Sequence, residues 1–281
     1  MKLVTFRRKD AAFAQVGAVE GAQVKVLASY PDMIAALGAG LEKLKRSAAT
    51  ASTVPLADVE LLAPIPKPPK LICIGLNYRD HALESNMAIP SIPTVFCKFT
   101  TAIVGPGANV VLPAKSTQPD YEAEFAFVIG KGGRHIKAAD WAQHVIGYTI
   151  INDVSARDVQ LATSQWVMGK NFDTFAPMGP YVTTADEIAD PHNLKIGLDL
   201  NGQRLQDSNT QELIFKIPEL IEHLSSILTL ETGDIVSTGT PKGVGFARKP
   251  PIYLKAGDEM VVWIEGLGEL KNPVVAEVAE G

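Results

Sequence analysis

Cysteine is nearly absent, with two in 281 residues, Cys73 and Cys97. Neither belongs to a metal-ligand spacing, and both lie in apolar, strand-like runs. They read as buried thiols in a reducing compartment, not as a disulfide or a zinc site. The chain also lacks any stretch approaching the roughly 20 apolar residues that span a bilayer. Met1 to Arg8 carry no apolar signal-peptide core, so a cytoplasmic location is expected. A basic excess is missing too. With 26 Lys and Arg against 31 Asp and Glu, the formal net charge is −5. That balance gives no electrostatic reason to expect nucleic acid or an anionic membrane as partner. An anionic substrate would need local positive charge, from a metal or from a few placed Lys and Arg.

What is present is a globular composition, 46% hydrophobic and 20% charged. The length is near that at which single cores split into domains. Leu3–Phe6, Ala14–Val19 and Gln23–Leu27 read as short strands. Met33 to about Ala48 has helical spacing, with Met33, Leu37, Leu41 and Leu44 on one side. Four prolines follow within Ala63–Lys70, a run that cannot continue a helix or a central strand. The expected division is a small α/β unit over residues 1–66 and a catalytic domain over 67–281. Strand signals dominate the second part: Leu71–Ile74, Thr94–Phe99, Glu122–Ile129, Val145–Asn152, Lys195–Leu200, Asp234–Thr238, Glu259–Glu265 and Glu269–Val275. Asn201-Gly202 is a strong hairpin signal. The clearest helix is Pro218–Leu228, with Leu220, Ile221, Leu224 and Ile227 facing one way. Many strands with few helices argue for an α+β, mainly β architecture.

The most informative segment is Asp120-Tyr121-Glu122-Ala123-Glu124-Phe125-Ala126-Phe127. In a strand, Glu122 and Glu124 point the same way, roughly 6–7 Å apart by backbone rise. Two acids opening an apolar strand are either a strand end hydrated by solvent or a site where a cation relieves their repulsion. A third acid, Asp153, ends the apolar strand Val145–Asn152. Three carboxylates without Cys or a dense His set suit a hard octahedral ion, Mg²⁺ or Mn²⁺. His81 and Glu84, three apart, meet if their segment is helical. The pair is then a surface ion pair or an oriented general base. Ser237-Thr238-Gly239-Thr240-Pro241-Lys242-Gly243-Val244-Gly245 lacks Gly-Lys-Ser/Thr and opens no clear helix, so it is not a nucleotide loop. It is a plain glycine-rich turn, or a turn whose free hydroxyl and backbone N–H groups hold a carboxylate. His135, His144, His192 and His223 lie near no comparable cluster and read as structural or solvated.

Together, Gly75–Glu84, Phe96-Cys97-Lys98, Tyr121–Glu124, Asn152–Gln160, Gly169–Asp173 and Thr238–Gly245 resemble the fumarylacetoacetate hydrolase family, over about Leu71 to Val275. The resemblance implies a mixed β-roll, usually dimeric, binding Mg²⁺ or Mn²⁺ through Glu122, Glu124 and Asp153. It implies a mobile lid, about residues 77 to 92, carrying His81 and Glu84, and an active-site lysine at Lys170. Tyr78, Lys98, Arg157, Gln160 and Thr240 match positions that contact the substrate or shape its pocket. The expected activity is hydrolysis of a C–C bond in a small anionic 2,4-dioxo acid. His81 with Glu84 would activate water and Lys170 would stabilise the oxyanion. Decarboxylation of oxaloacetate-like acids and isomerisation of oxo-enedioates are alternatives on the same site, and a catalytically silent metal-binding relative is a third.

Overall fold

The computed structural model describes residues 1–9 and 11–278. Its organising element is the strand Ala123–Ile129, every residue of which is buried. Phe125, Phe127 and Ile129 face one apolar core, and Ala126 and Val128 face another. A strand covered on both sides sits centrally. It pairs antiparallel with Val145–Asn152 on one edge and with Ile235–Ser237 on the other. Beyond Ile235–Ser237 come Leu71–Gly75, in parallel, and then Thr94–Cys97 at the rim.

On the first core a five-stranded sheet packs, running Gln203–Asn209, Lys195–Leu200, Glu259–Ile264, Gly268–Ala276 and Val110–Leu112. Ile196, Leu198, Val262 and Leu270 from that sheet meet Phe125 and Phe127. The hairpin turn falls on Asn201 and Gly202, whose φ values of 52° and 78° are those of the primed turn their sequence favours. On the second core lie the leading helices. The architecture is α+β, mainly β, a mixed β-roll.

Residues 1–66 extend the large sheet. Lys2–Arg8 pairs with Ala176–Thr184, placing Leu3 opposite Val182, and Ala14–Glu20, Gln23–Val26 and Thr53–Pro55 follow outward. The helix expected over Met33 to Ala48 is two helices, Met33–Gly38 and Leu41–Ala49. Gly40 breaks it at φ 79°, a left-handed conformation that costs glycine little. The later helix spans Ile217–Ile227 with Leu220, Ile221 and Leu224 buried. Ile227, expected inward, is instead exposed at its end. Cys73 is buried as expected, whereas Cys97 is exposed, because the rim strand that carries it has no neighbour on its outer side.

Candidate active site

Antiparallel pairing of Ala123 with Asn152 sets Glu122 opposite Asp153, and the Asp153 N–H donates to the Glu122 carbonyl at 2.9 Å. Strand parity puts Glu124 beside them. Ligand oxygens of Glu122, Glu124 and Asp153 all lie within 4.8 Å of one another. All three side chains are buried, Glu124 to 2% exposure, so the hydrated strand end is excluded. Each acid is held by its surroundings. Glu122 accepts from Arg157 Nη1 at 2.6 Å and Lys170 Nζ at 2.7 Å. Asp153 accepts from Lys98 Nζ at 2.5 Å and Lys170 Nζ at 2.8 Å. Glu124 accepts from Ser237 Oγ at 2.5 Å and the Gly239 N–H at 3.1 Å.

These contacts split the acids electrostatically. Burial alone would raise the Glu122 pKa, but Lys170 and Arg157 outweigh it and hold the group at about 2. For Glu124, burial first and then repulsion from Asp153 and Glu122 push the pKa well up. No salt bridge reaches it among the described residues. Around the site the buried ionic set is four carboxylates (Asp120, Glu122, Glu124, Asp153) and three cations (Lys98, Arg157, Lys170), while buried Asp234 pairs with Lys70 elsewhere. One negative charge is in excess, and it falls on Glu124. A dication would turn that deficit into one net positive charge, the sign an anionic substrate needs. Oxygen-only donors fit a hard cation.

His81 is delivered by the short helix Arg79–Glu84, which meets the condition on which its pairing with Glu84 depends. His81 Nδ1 lies 3.4 Å from Glu84 Oε2, so the spacing three apart does bring the pair together. Glu84 also accepts the Gly243 N–H at 2.9 Å, and Asp80 accepts from Ser208 Oγ at 2.6 Å. Burial would raise the Glu84 pKa, but the bonds from His81 and the Gly243 N–H lower it. At the helix root, Asn77 Nδ2 donates to the Thr238 carbonyl at 2.9 Å, and Asn77 Oδ1 accepts the Phe215 N–H at 2.8 Å.

A cavity of about 110 Å³ opens between helix and acids. His81, Glu122, Glu124, Arg157, Gln160, Lys170 and Thr240 all line it. Tyr78 does not: its ring is fully buried in the core, where it serves packing. Lys98 stands behind Asp153, its ammonium spent on that carboxylate and on the Val154 carbonyl. Phe96, Trp166 and Phe246 complete the apolar wall; of these only Phe96 falls in a stretch singled out by sequence, and none was assigned to the pocket. Gly75 is needed where it stands, because a Cβ there would strike the Trp166 ring. The glycine-rich loop does cradle carboxylates through its N–H groups, but they belong to the protein: Glu124, Glu84 and Asp120. The four other histidines lie off the cavity wall.

A model of the fumarylacetoacetate (FAA) hydrolase C-terminal family matches residues 70–275. The chain belongs to the fumarylacetoacetate hydrolase family. A Rv2993c-like N-terminal model matches residues 1–64. Within the family, the chain is 50% identical over 240 residues to the mitochondrial oxaloacetate tautomerase FAHD2B of Bos taurus, covering 84% of this chain and 76% of that one. Two solved family structures cover 99% of this chain and 100% of theirs. One is a 5-carboxymethyl-2-hydroxymuconate delta-isomerase from Mycobacterium smegmatis, 36% identical with a TM-score of 0.82. The other is a maleylpyruvate hydrolase from Sphingobium sp. SYK-6 in complex with manganese(II) and pyruvate, 32% identical with a TM-score of 0.83. Family members thus act on small oxo acids. The bovine relative is mitochondrial by name and lends no support to the cytoplasmic expectation. Among the described residues no helix is long and apolar enough to cross a membrane.

Proposed function

We propose that the protein catalyses metal-assisted enolisation of a small 2-oxo dicarboxylic acid, as an oxaloacetate-type keto–enol tautomerase. The supporting observation is the cavity. At about 110 Å³ it is well below the roughly 300–1,000 Å³ of sites for drug-sized ligands, and a four-carbon diacid suits it better than a long acylpyruvate. The bovine relative's name agrees with this choice.

Glu122, Glu124 and Asp153 would hold Mg²⁺ or Mn²⁺, an assignment supported by their donor chemistry and by the manganese in the hydrolase neighbour. When bound, the ion supplies a Lewis acid for the 1-carboxylate and 2-oxo oxygen. His81, with Nδ1 held by Glu84, presents Nε2 to the substrate and moves the C3 proton. Lys170 lends positive charge where the 2-oxo oxygen becomes negative. Arg157 and Gln160 stand on the cavity wall to receive the second carboxylate, Thr240 helps shape it, and Arg157 Nη2 has no partner among the described residues. Hydrolysis is the second reading, favoured by the maleylpyruvate hydrolase neighbour. In it the same His81–Glu84 pair activates water.

The deciding experiment follows oxaloacetate enol decay, oxaloacetate decarboxylation and pyruvate release from acetylpyruvate side by side. Enol decay should be accelerated most. Faster pyruvate release from acetylpyruvate would replace this reading with hydrolysis.

We also propose a homodimer. Its support is the open rim strand Thr94–Cys97, which carries exposed Val95, is followed by exposed Phe99 and borders a groove of about 850 Å³.

A further inference from the structure

Asp120 is fully buried beside the site but is not on the cavity wall. Four donors converge on its two oxygens. Oδ1 accepts the Tyr121 N–H at 2.9 Å and the Gly245 N–H at 2.7 Å. Oδ2 accepts Arg157 Nε at 2.8 Å and the Phe246 N–H at 3.0 Å. Arg157 is fixed on its other edges as well. Nη1 donates to Gln160 Oε1 at 2.9 Å and reaches Glu122 Oε1 at 2.6 Å, and the Phe246 ring lies 4.4 Å beneath the guanidinium carbon. What remains is Nη2, buried and without a hydrogen-bond partner among the described residues. A buried charged donor left open in a built site marks the place of an acceptor.

We propose that Asp120 is a positioning residue for substrate recognition. It clamps Arg157 so that Nη2 is left without a protein acceptor among the described residues and can take the second carboxylate of a 2-oxo diacid. It does so through the loop that also anchors the lid helix, since Gly243 holds Glu84 two residues before Gly245 holds Asp120. Recognition of the diacid and closure of His81 over it therefore share one support. The inference rests on the assignment of Arg157 to the second carboxylate.

Asp120→Asn preserves side-chain size but turns an amide N–H toward one of the two donor pairs, so the clamp fails without a cavity being made. The test uses full-length, Mn²⁺-loaded protein and calorimetric binding of oxaloacetate, a diacid, and pyruvate, a monoacid. Wild type, Asp120→Asn, Arg157→Gln and the double variant are compared. Wild type should bind oxaloacetate at least about tenfold tighter than pyruvate, on the scale of a charge-assisted hydrogen bond. Asp120→Asn should erase most of that preference while leaving pyruvate and Mn²⁺ binding within about twofold. In the Arg157→Gln background the same change should have almost no further effect, as expected for residues acting in series. Equal weakening of both acids, loss of Mn²⁺ binding, or an undiminished effect without Arg157 would overturn the positioning role. A wild-type protein without the diacid preference would overturn the Arg157 assignment and the proposal with it. Binding without turnover of oxaloacetate would instead count against the tautomerase reading alone.

Discussion

Lys170 Nζ sits between Glu122 Oε2, at 2.7 Å, and Asp153 Oδ2, at 2.8 Å, with all three groups buried. Burial alone would lower the lysine pKa, yet Asp153 and Glu122 raise it, so the ammonium stays charged. One cation thereby holds two candidate metal ligands together.

Lys170→Met removes that cation and leaves two buried anions facing each other. Breaking a buried pair from one side typically costs on the order of 3–5 kcal/mol. The metal-free variant should unfold at lower denaturant by a comparable amount. Added Mn²⁺ should recover more stability in the variant than in wild type, because the dication then replaces the lost charge. Denaturant titrations with and without Mn²⁺ check this, and an equal Mn²⁺ effect in both proteins would count against it.

Glu122 and Glu124 give opposite pH dependences to the metal-free protein. Glu122, held at about 2 against an ordinary 4.5, contributes stability that is present above 4.5 and lost as pH falls toward 2. Glu124, pushed above 4.5, contributes stability that is present at low pH and lost as pH rises through its folded value. Glu124→Gln should therefore raise the melting temperature of the metal-free protein at neutral pH while abolishing Mn²⁺ binding. Melting curves and calorimetry at pH 7 decide; a less stable variant would show that Glu124 is ionised and paired.

His81 separates proton transfer from carbon–carbon cleavage. His81→Ala should slow enolisation by about 10²–10⁴-fold, the usual worth of a placed base. It should cost far less in oxaloacetate decarboxylation, where a bound metal would supply the electron sink. An equal fall in both rates would make His81 a latch for closure instead of a base.

The segment from Asn77 to Ile92 carries His81, and Leu83, Met87, Ile89 and Ile92 on it are exposed. Past Glu84 it has no helix or strand until Thr94. Amide exchange there should be fast in free protein and slow with Mn²⁺ and oxalate. Strong protection in both states would rule out a lid.

The residues that meet at the candidate site were legible because they obey local periods. Glu122 and Glu124 alternate along a strand, Asp153 ends one, and His81 and Glu84 sit three apart on a helix. Asp120 lies on the same alternation as the two glutamates and could have been found that way. Ser237 was read within a loop able to hold a carboxylate, but that the carboxylate is Glu124, 113 residues away in sequence, was not legible. The strand Ala176–Thr184 was missed for a physical reason. It runs inside the large sheet while containing Pro177 and Pro180, residues that ordinarily argue against a central strand. Tyr78 shows the converse error, since a polar tip in a functional segment does not keep an aromatic ring out of the core.

The most direct measurement is oxaloacetate enol-to-keto conversion by protein stripped of metal and then titrated with Mn²⁺. The rate should be near background when stripped, rise to saturation with the ion, and stay at background in Glu124→Gln. A rate indifferent to metal, or to the loss of Glu124, would contradict the metal-centred enolisation proposed for this site.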